Sequence, residues 1–336
     1  MEDPIYKSST LPAPNYCCFC LTLKCSTQCK ICHIWSQNKD FSRELTIEQW
    51  KIILKQLDGW WDKKNDIIIT GGEPLLKDGI LDFLSLCSHL GYKVSLHTNA
   101  FLIDEVMAQK IADTGLWRIN ISLYSLREEI HDFLKGGKGA FHKVMKALDF
   151  LARYAPAVGI NIQNIIMGIN LEEVLKMSEW VKQDSRIEYI YHEAPVIPFG
   201  ATFDENWFDD PKYSFMWPQD QERVENVLND LIEMKRNTKK IVNSISQLQA
   251  FKKYFKHALS LNAIDCNLGR RAINVDPEGN VFLCFSKPAI GNTQEDTILK
   301  IWNSTKADQV RGQMKNCKEK CHFLINCSFE EADIAN

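Results

Sequence analysis

The sequence predicts an α/β protein: a partial (β/α)6 barrel of TIM-like type, followed by a small C-terminal α+β module. Three observations carry that expectation. Strand-like and helix-like segments alternate six times between about residues 16 and 193. The alternation stops at "APVIPFG". The twelve cysteines fall into two groups, six from Cys17 to Cys32 and five from Cys266 to Cys327, with Cys87 alone between them. The expected division is residues 1–200 for the barrel, 201–261 for an aromatic loop and helical bridge, and 262–336 for the module.

The strands come first. "YCCFCLTL", "DIIIT", "KVSLHT", "WRINISL", "GINIQNIIM" and "IEYIYHE" are short and rich in β-branched or aromatic residues, as buried parallel strands are. Amphipathic segments separate them. In the fourth, Phe141, Val144, Met145, Leu148 and Leu151 recur on one helix face. Six βα units imply a parallel sheet with right-handed crossovers, too short to close an eight-stranded barrel and therefore open at one side. "ATFDENWFDDPKYSFMWPQD" follows as irregular structure. Its Trp207, Phe208 and Trp217 either line a pocket or pack between barrel and bridge. Gln221 to about Leu261 is helical in pattern, and "INVDPEGNVFLC" reads as a β-hairpin turning at "DPEGN".

The composition is that of an ordinary globular chain, 45% hydrophobic and 25% charged, and its net charge of −3 gives no general attraction to nucleic acid or to an anionic membrane. No apolar run approaches the roughly 18 residues of a membrane span, and the start of the chain has no basic segment leading into an apolar one. The expected location is the cytoplasm. There a disulfide framework is disfavoured, and metal or redox chemistry becomes the natural reading of the cysteines. Cys87 sits at helical spacing in "ILDFLSLCSHL" and reads as a packing residue. Cys17, Cys18 and Cys20 alternate faces of the first strand and read the same way.

Cys25, Cys29 and Cys32 form C-x3-C-x2-C just after that strand, where a barrel places its chemistry. Four readings compete. His33 could complete a zinc site, although it directly follows Cys32. "CKICH" has the spacing of a c-type haem attachment, which belongs outside the cytoplasm. A thioredoxin-like pair would leave Cys25 unused. An iron–sulfur cube held at three corners would leave its fourth iron open to a small molecule. "TGGEPLL" follows the second strand. Gly71 and Gly72 permit a tight turn and Pro74 suits a first helical turn, but neither role explains Glu73, whose carboxylate can accept a hydrogen bond from an ammonium group. Asn99 in "HTNA" and Ser122 in "SLYS" end the third and fourth strands, as caps or as ligand contacts. Near the C-terminus, Cys266, Cys284, Cys317, Cys321 and Cys327 form a metal knuckle, for which spacing alone still allows zinc.

Taken together, these elements resemble the radical S-adenosylmethionine superfamily. C-x3-C-x2-C is its signature, "GGEP" its amino-group element, and "TNA" and "SLYS" resemble its "TNG" and "SLD" strand ends, with Tyr124 in place of the usual acid. "DPEGNVFLC", the "GN" at Gly291 and the "IW" at Ile301 resemble the SPASM/twitch module of the same superfamily. The resemblance implies a [4Fe-4S] cluster on Cys25, Cys29 and Cys32, with S-adenosylmethionine held near Gly71, Gly72, Glu73, Pro74, Asn99 and Ser122. It implies one auxiliary [4Fe-4S] cluster on Cys266, Cys284, Cys317 and Cys321, with Cys327 able to replace Cys321.

The implied reaction is reductive cleavage of S-adenosylmethionine to a 5′-deoxyadenosyl radical, which abstracts hydrogen from a C–H bond. The auxiliary cluster would oxidise or position the substrate. A peptide-modifying maturase and a dehydrogenase of an aminocyclitol or sugar carbinol both fit, and a non-catalytic electron carrier is the alternative from another class. The expected partners are a flavodoxin- or ferredoxin-type electron donor and a peptide or small-molecule substrate, with neither nucleic acid nor membrane. His192 and Glu193 end the sixth strand and are the candidate groups for substrate contact or proton transfer.

Overall fold

The computed structural model describes residues 11–36, 40–202, 204, 206–256, 267–315 and 326. Six parallel strands form its centre: β1 (Tyr16–Thr22), β2 (Asp66–Gly71), β3 (Lys93–Thr98), β4 (Arg118–Ser122), β5 (Gly159–Ile165) and β6 (Tyr189–Glu193). Helices α1 (Ile47–Lys55), α2 (Ile80–His89), α3 (Glu105–Asp113), α4 (Glu128–Lys135), α5 (Ala140–Tyr154) and α6 (Val174–Gln183) lie between them, with α4 and α5 sharing the β4–β5 crossover. Side-chain caps start two of these helices, α1 and α3. At α1, the Thr46 hydroxyl accepts from the Gln49 amide while the Gln49 side chain accepts from the Thr46 amide, a reciprocal cap that contributes about 1 kcal/mol.

Period-2 alternation gives the sheet two unlike faces. Cys17, Phe19, Ile67, Ile69, Val94, Leu96, Ile119, Ile121, Ile160 and Ile162 are buried on the outer face. Phe19, for instance, meets Trp50 of α1 at 5.2 Å. Each large side chain removed from water there contributes about 1.5–3 kcal/mol. The other face carries Cys18 and Cys20, Ser95 and His97, Asn120 and Ser122, Asn161 and Gln163, Tyr191 and Glu193. A closed barrel fills its inside with branched aliphatics. This polar inner face is that of an open, partial barrel.

The sheet continues past β1. β7 (Ala272–Val275) pairs parallel with β1, and β8 (Asn280–Phe282) and β9 (Gly291–Asn292) follow antiparallel, so that the nine strands run β6-β5-β4-β3-β2-β1-β7-β8-β9. The expected hairpin is therefore an extension of the barrel sheet, bounded by α9 (Leu268–Arg271), α10 (Ile298–Trp302) and α11 (Thr305–Lys315). The bridge forms α7 (Gln221–Arg236) and α8 (Ile245–Lys256). Trp207 and Trp217 are buried in an aromatic cluster with Tyr213, Tyr254 and Phe255, the packing alternative for that segment.

At the opposite edge, β6 is covered. Its Ile190 amide donates to the Lys240 carbonyl, and Asn243 brackets the backbone of His192 with one bond to each side of the peptide. Asn326 brackets Ala194 in the same way. An open row of unpaired amides is thus satisfied by segments from the bridge and the C-terminal region. Among the described residues, no helix is long and apolar enough to cross a membrane.

Candidate active site

The loop after β1 is held by the protein's own hydrogen bonds. Glu44 accepts from the Leu23 amide at 2.7 Å and from the Thr22 hydroxyl at 2.8 Å, which fixes the loop's origin. The Thr27 hydroxyl stands between two sulfurs, 3.2 Å from Cys25 Sγ and 3.3 Å from Cys29 Sγ. The Cys32 amide donates to the Cys29 carbonyl, the Lys30 amide to Leu134 at the end of α4, and the His33 amide to Phe199 beyond β6. The loop is therefore tied to both flanks of the sheet. Burial pushes the Cys32 thiol up to about 11, and the neighbouring Cys29 and Cys25 push it the same way. No group of three metal-binding side chains among the described residues converges on a single-ion site.

The β2 loop lies directly on this one. A Cβ on Gly72 would stand 2.3 Å from the Lys24 carbonyl oxygen, so only glycine allows the approach, and Gly71 meets Thr22 as tightly. Pro74 opens a short 3-10 turn, as expected. Glu73 is fully buried, two residues beyond the end of β2. Its oxygens accept from the Leu75 amide, the Thr98 hydroxyl and the Asn99 amide, at 2.8–3.1 Å. Desolvation raises its pKa, against the pull of those amides and of Lys135. Glu73 thus folds the end of β3 onto the β2 loop. That contact leaves Asn99 with its Oδ1 accepting from the Phe101 amide and its buried Nδ2 without a partner among the described residues. An orphaned buried donor at a strand end fits a bound molecule that supplies an acceptor. Ser122 ends β4 on the inner face of the sheet.

The two candidates on β6 separate. Glu193 is on the inner face and accepts from Gln163 Nε2 at 2.8 Å. Gln163 Oε1 in turn meets His97 Nδ1 at 3.0 Å. Because the Gln163 amide nitrogen faces Glu193, its oxygen accepts from a protonated His97 Nδ1. Burial raises the Glu193 carboxyl to about 7 and lowers His97 to about 4, so the imidazole is neutral near pH 7. His192 is on the outer face. It is fully buried, with Nε2 on the Ser178 hydroxyl of α6 at 2.9 Å and Nδ1 on Asn164 Oδ1 at 3.1 Å. The expectation that His192 faces the substrate is corrected: one residue along a strand reverses the direction of the side chain.

Several site residues escaped the sequence reading. His97 and Gln163 complete the inner-face chain, and the inward alternation of "KVSLHT" and "GINIQNIIM" would have found them. Lys135 had no such signal. It is 3% exposed, lies 4.7 Å over the Tyr124 ring, and lowers the pKa of both Cys32 and Glu73. A lysine on an amphipathic helix reads as surface until tertiary contacts bury it. His131 is also fully buried, accepting from the Tyr124 amide at Nδ1, with Nε2 without a partner among the described residues. Of the C-terminal cysteines, Cys284 is half-buried with its sulfur 3.0 Å from the Ser286 hydroxyl, whereas Cys266, Cys317, Cys321 and Cys327 lie outside the described residues.

Comparison with known proteins adds independent findings. Residues 19–181 match the family model of the radical SAM superfamily, and residues 266–328 match that of SPASM, an iron–sulfur cluster-binding domain. The chain is 25% identical over 323 residues to the AdoMet-dependent heme synthase of Methanosarcina barkeri, covering 92% of this chain and 88% of that one. It is 24% identical to the sporulation killing factor maturation protein SkfB of Bacillus subtilis, covering 95% and 72%. Streptococcus suis SuiB bound to S-adenosylmethionine has a similar fold, with a TM-score of 0.67 and 15% identity over 94% of this chain and 75% of that one. SuiB bound to the precursor peptide SuiA gives 0.66, with 14% identity over 94% and 74%.

Proposed function

The chain is a radical SAM superfamily enzyme with a SPASM domain, and from that premise we propose that it is a maturase that oxidatively modifies a peptide. Such a protein uses a [4Fe-4S] cluster, S-adenosylmethionine and auxiliary iron–sulfur chemistry. When bound, the first two supply a hydrogen-abstracting radical and the last an electron sink. Cys25, Cys29 and Cys32 would hold the cluster, and Gly71, Gly72, Glu73, Pro74, Asn99 and Ser122 would border the nucleotide. Cys266, Cys284, Cys317 and Cys321 would carry the auxiliary cluster, with Cys327 as the substitute.

The observation that carries the reading is the inner-face chain of His97, Gln163 and Glu193. Oxidising a C–H bond by two electrons releases a proton as well as an electron, so the substrate pocket needs a base. A carboxyl raised to about 7 is close to the pH at which a base both holds and transfers a proton well. Gln163 donates to one oxygen of Glu193 and leaves the other to the substrate. An acid beside amide side chains suits the amides and hydroxyls of a peptide. The similarity to SkfB and to peptide-bound SuiB supports the same class, and an external one-electron donor is needed to start each cycle.

The test is anaerobic. Reconstituted protein is given dithionite, S-adenosylmethionine and candidate precursor peptides deuterated at single carbons. Deuterium in 5′-deoxyadenosine, together with a peptide lighter by two hydrogens, is the expected result. Deuterium transfer from a sugar carbinol and from no peptide would replace the substrate class. No 5′-deoxyadenosine under any condition would remove the enzymatic reading.

A further inference from the structure

Asn326 ties the C-terminal region to the end of β6, on either side of the residue that serves as the base. In a strand, alternate residues turn their amide and carbonyl to opposite neighbours. Glu193 turns its carbonyl to β5, where it accepts from the Ile166 amide at 2.8 Å. His192 and Ala194 therefore face the outer edge of the sheet, and each meets an asparagine side chain. Asn243, from the bridge, accepts from the His192 amide and donates to the His192 carbonyl. Asn326, 132 residues further along the chain than Ala194, accepts from the Ala194 amide at 2.9 Å and donates to the Ala194 carbonyl at 2.8 Å. The main-chain carbonyl of Asn326 also accepts from the Tyr191 hydroxyl at 3.2 Å, and Tyr191 shares the inner face with Glu193. Gln247 joins the two asparagines: its Nε2 donates to the Tyr191 hydroxyl at 2.7 Å and its Oε1 accepts from Asn243 at 2.8 Å. The next residue in the sequence after Asn326 is Cys327, which follows Cys317 and Cys321. Closing a sheet edge requires only some partner for the strand. It does not explain why the partner at Ala194 comes from the cysteine segment.

We infer that Asn326 is a positioning residue for the oxidation step, fixing the C-terminal cysteine segment to the strand end that carries Glu193. The inference rests on the proposed reading of Glu193 as the base and of the C-terminal cysteines as holders of the auxiliary cluster. Once hydrogen has been abstracted, completing a two-electron oxidation removes one proton and one electron from the substrate radical. The proton goes to the Glu193 carboxylate and the electron to the auxiliary cluster. Both leave the same carbon, so their acceptors must be held in register with each other. A side-chain amide bonded through its oxygen and its nitrogen to one residue fixes direction as well as distance, which a single bond would not. The chemistry of asparagine suits this role closely. Aspartate has no donor for the Ala194 carbonyl, alanine has neither group, and glutamine is one methylene longer.

Asn326→Ala and Asn326→Asp test it in the reconstituted full chain, with dithionite, S-adenosylmethionine and the deuterated precursor peptides. Two quantities are read: exchange of the Ala194 amide with solvent deuterium, and 5′-deoxyadenosine formed per peptide oxidised. In Asn326→Ala the Ala194 amide should exchange about tenfold faster or more, while the Ile190 amide, held by the Lys240 carbonyl, stays as in the wild type. In both variants iron content should be unchanged and the 5′-deoxyadenosine formed per oxidised peptide should rise about tenfold, because the radical still forms but is oxidised less often. A merely structural role would lower cleavage and oxidation together and leave that ratio alone. An unchanged ratio in Asn326→Ala with the Ala194 amide released, or an unchanged Ala194 exchange, overturns the inference. Should Asn326→Ala lose iron, the ratio in Asn326→Asp, which keeps the shape and the acceptor, decides. Wild-type protein that cleaves S-adenosylmethionine but oxidises no peptide would instead refute the maturase reading, and Ala194 exchange then judges the contact alone.

Discussion

The two faces of the central sheet are made from the same strands and do different work. The outer face is nearly continuous isoleucine, valine, leucine and phenylalanine against helices. The inner face is mostly polar, with cysteine, serine, histidine, asparagine, glutamine, tyrosine and glutamate beside Ile68 and Ile165. His192 and Glu193 show how sharp the division is. They are neighbours on β6, yet one bonds a serine of α6 and the other closes a chain of polar groups in the concavity. Stability and chemistry are thus interleaved residue by residue along each strand. A substitution should affect one or the other according to its parity.

The largest effect is expected at the loop that crowns the inner face. Cys29→Ala removes one of three thiolates, and both iron at the first site and formation of 5′-deoxyadenosine should fall to background under dithionite. Retained cleavage would mean that another ligand serves. Next comes Glu193→Gln. It keeps the shape and the side-chain oxygen that faces Gln163 but cannot take a proton. Substrate turnover should fall about a hundredfold, while uncoupled cleavage of S-adenosylmethionine continues. Equal turnover would remove the base assignment. His192→Ala should do the converse. It leaves a cavity and strands the Asn164 side-chain oxygen, while Ser178 keeps its bond to the Val174 carbonyl, so stability to denaturant should fall by about 3 kcal/mol with turnover per folded molecule nearly unchanged. A large loss of turnover at full stability would break the comparison between faces.

Much of this was legible in the sequence. All six barrel strands, the hairpin at "DPEGN" and the loop bearing Cys25, Cys29 and Cys32 lie where the pattern put them, because alternation and glycine placement are local signals. The attachment of β7 to β1 was not legible. It pairs strands some 250 residues apart, and nothing in either segment names its neighbour. The direction of His192 was within reach of simple alternation, since Glu193 next to it could not share its face. The burial of Glu73 and Lys135 was not, because it depends on how the β2 loop and α4 close over the cysteine loop.

The smallest effect follows from the raised carboxyl of Glu193. Its folded pKa, about 7, is above the ordinary 4.5, so the native state binds more protons than the unfolded chain between those values. That contribution to stability is fully present below pH 4.5 and is lost as pH rises through 7. From pH 5 to pH 8 the wild type should therefore lose about 2 kcal/mol that Glu193→Gln does not lose, at roughly 1.4 kcal/mol per pKa unit. His97 works in the opposite sense. Its folded pKa, about 4, is below the ordinary 6.5, so it destabilises the fold as pH falls through that window. Both proteins contain His97, and subtracting their denaturant midpoints at each pH cancels it. A difference that stays flat across the range would show that Glu193 titrates as in water, which would leave the inner face polar but without a base tuned to neutral pH.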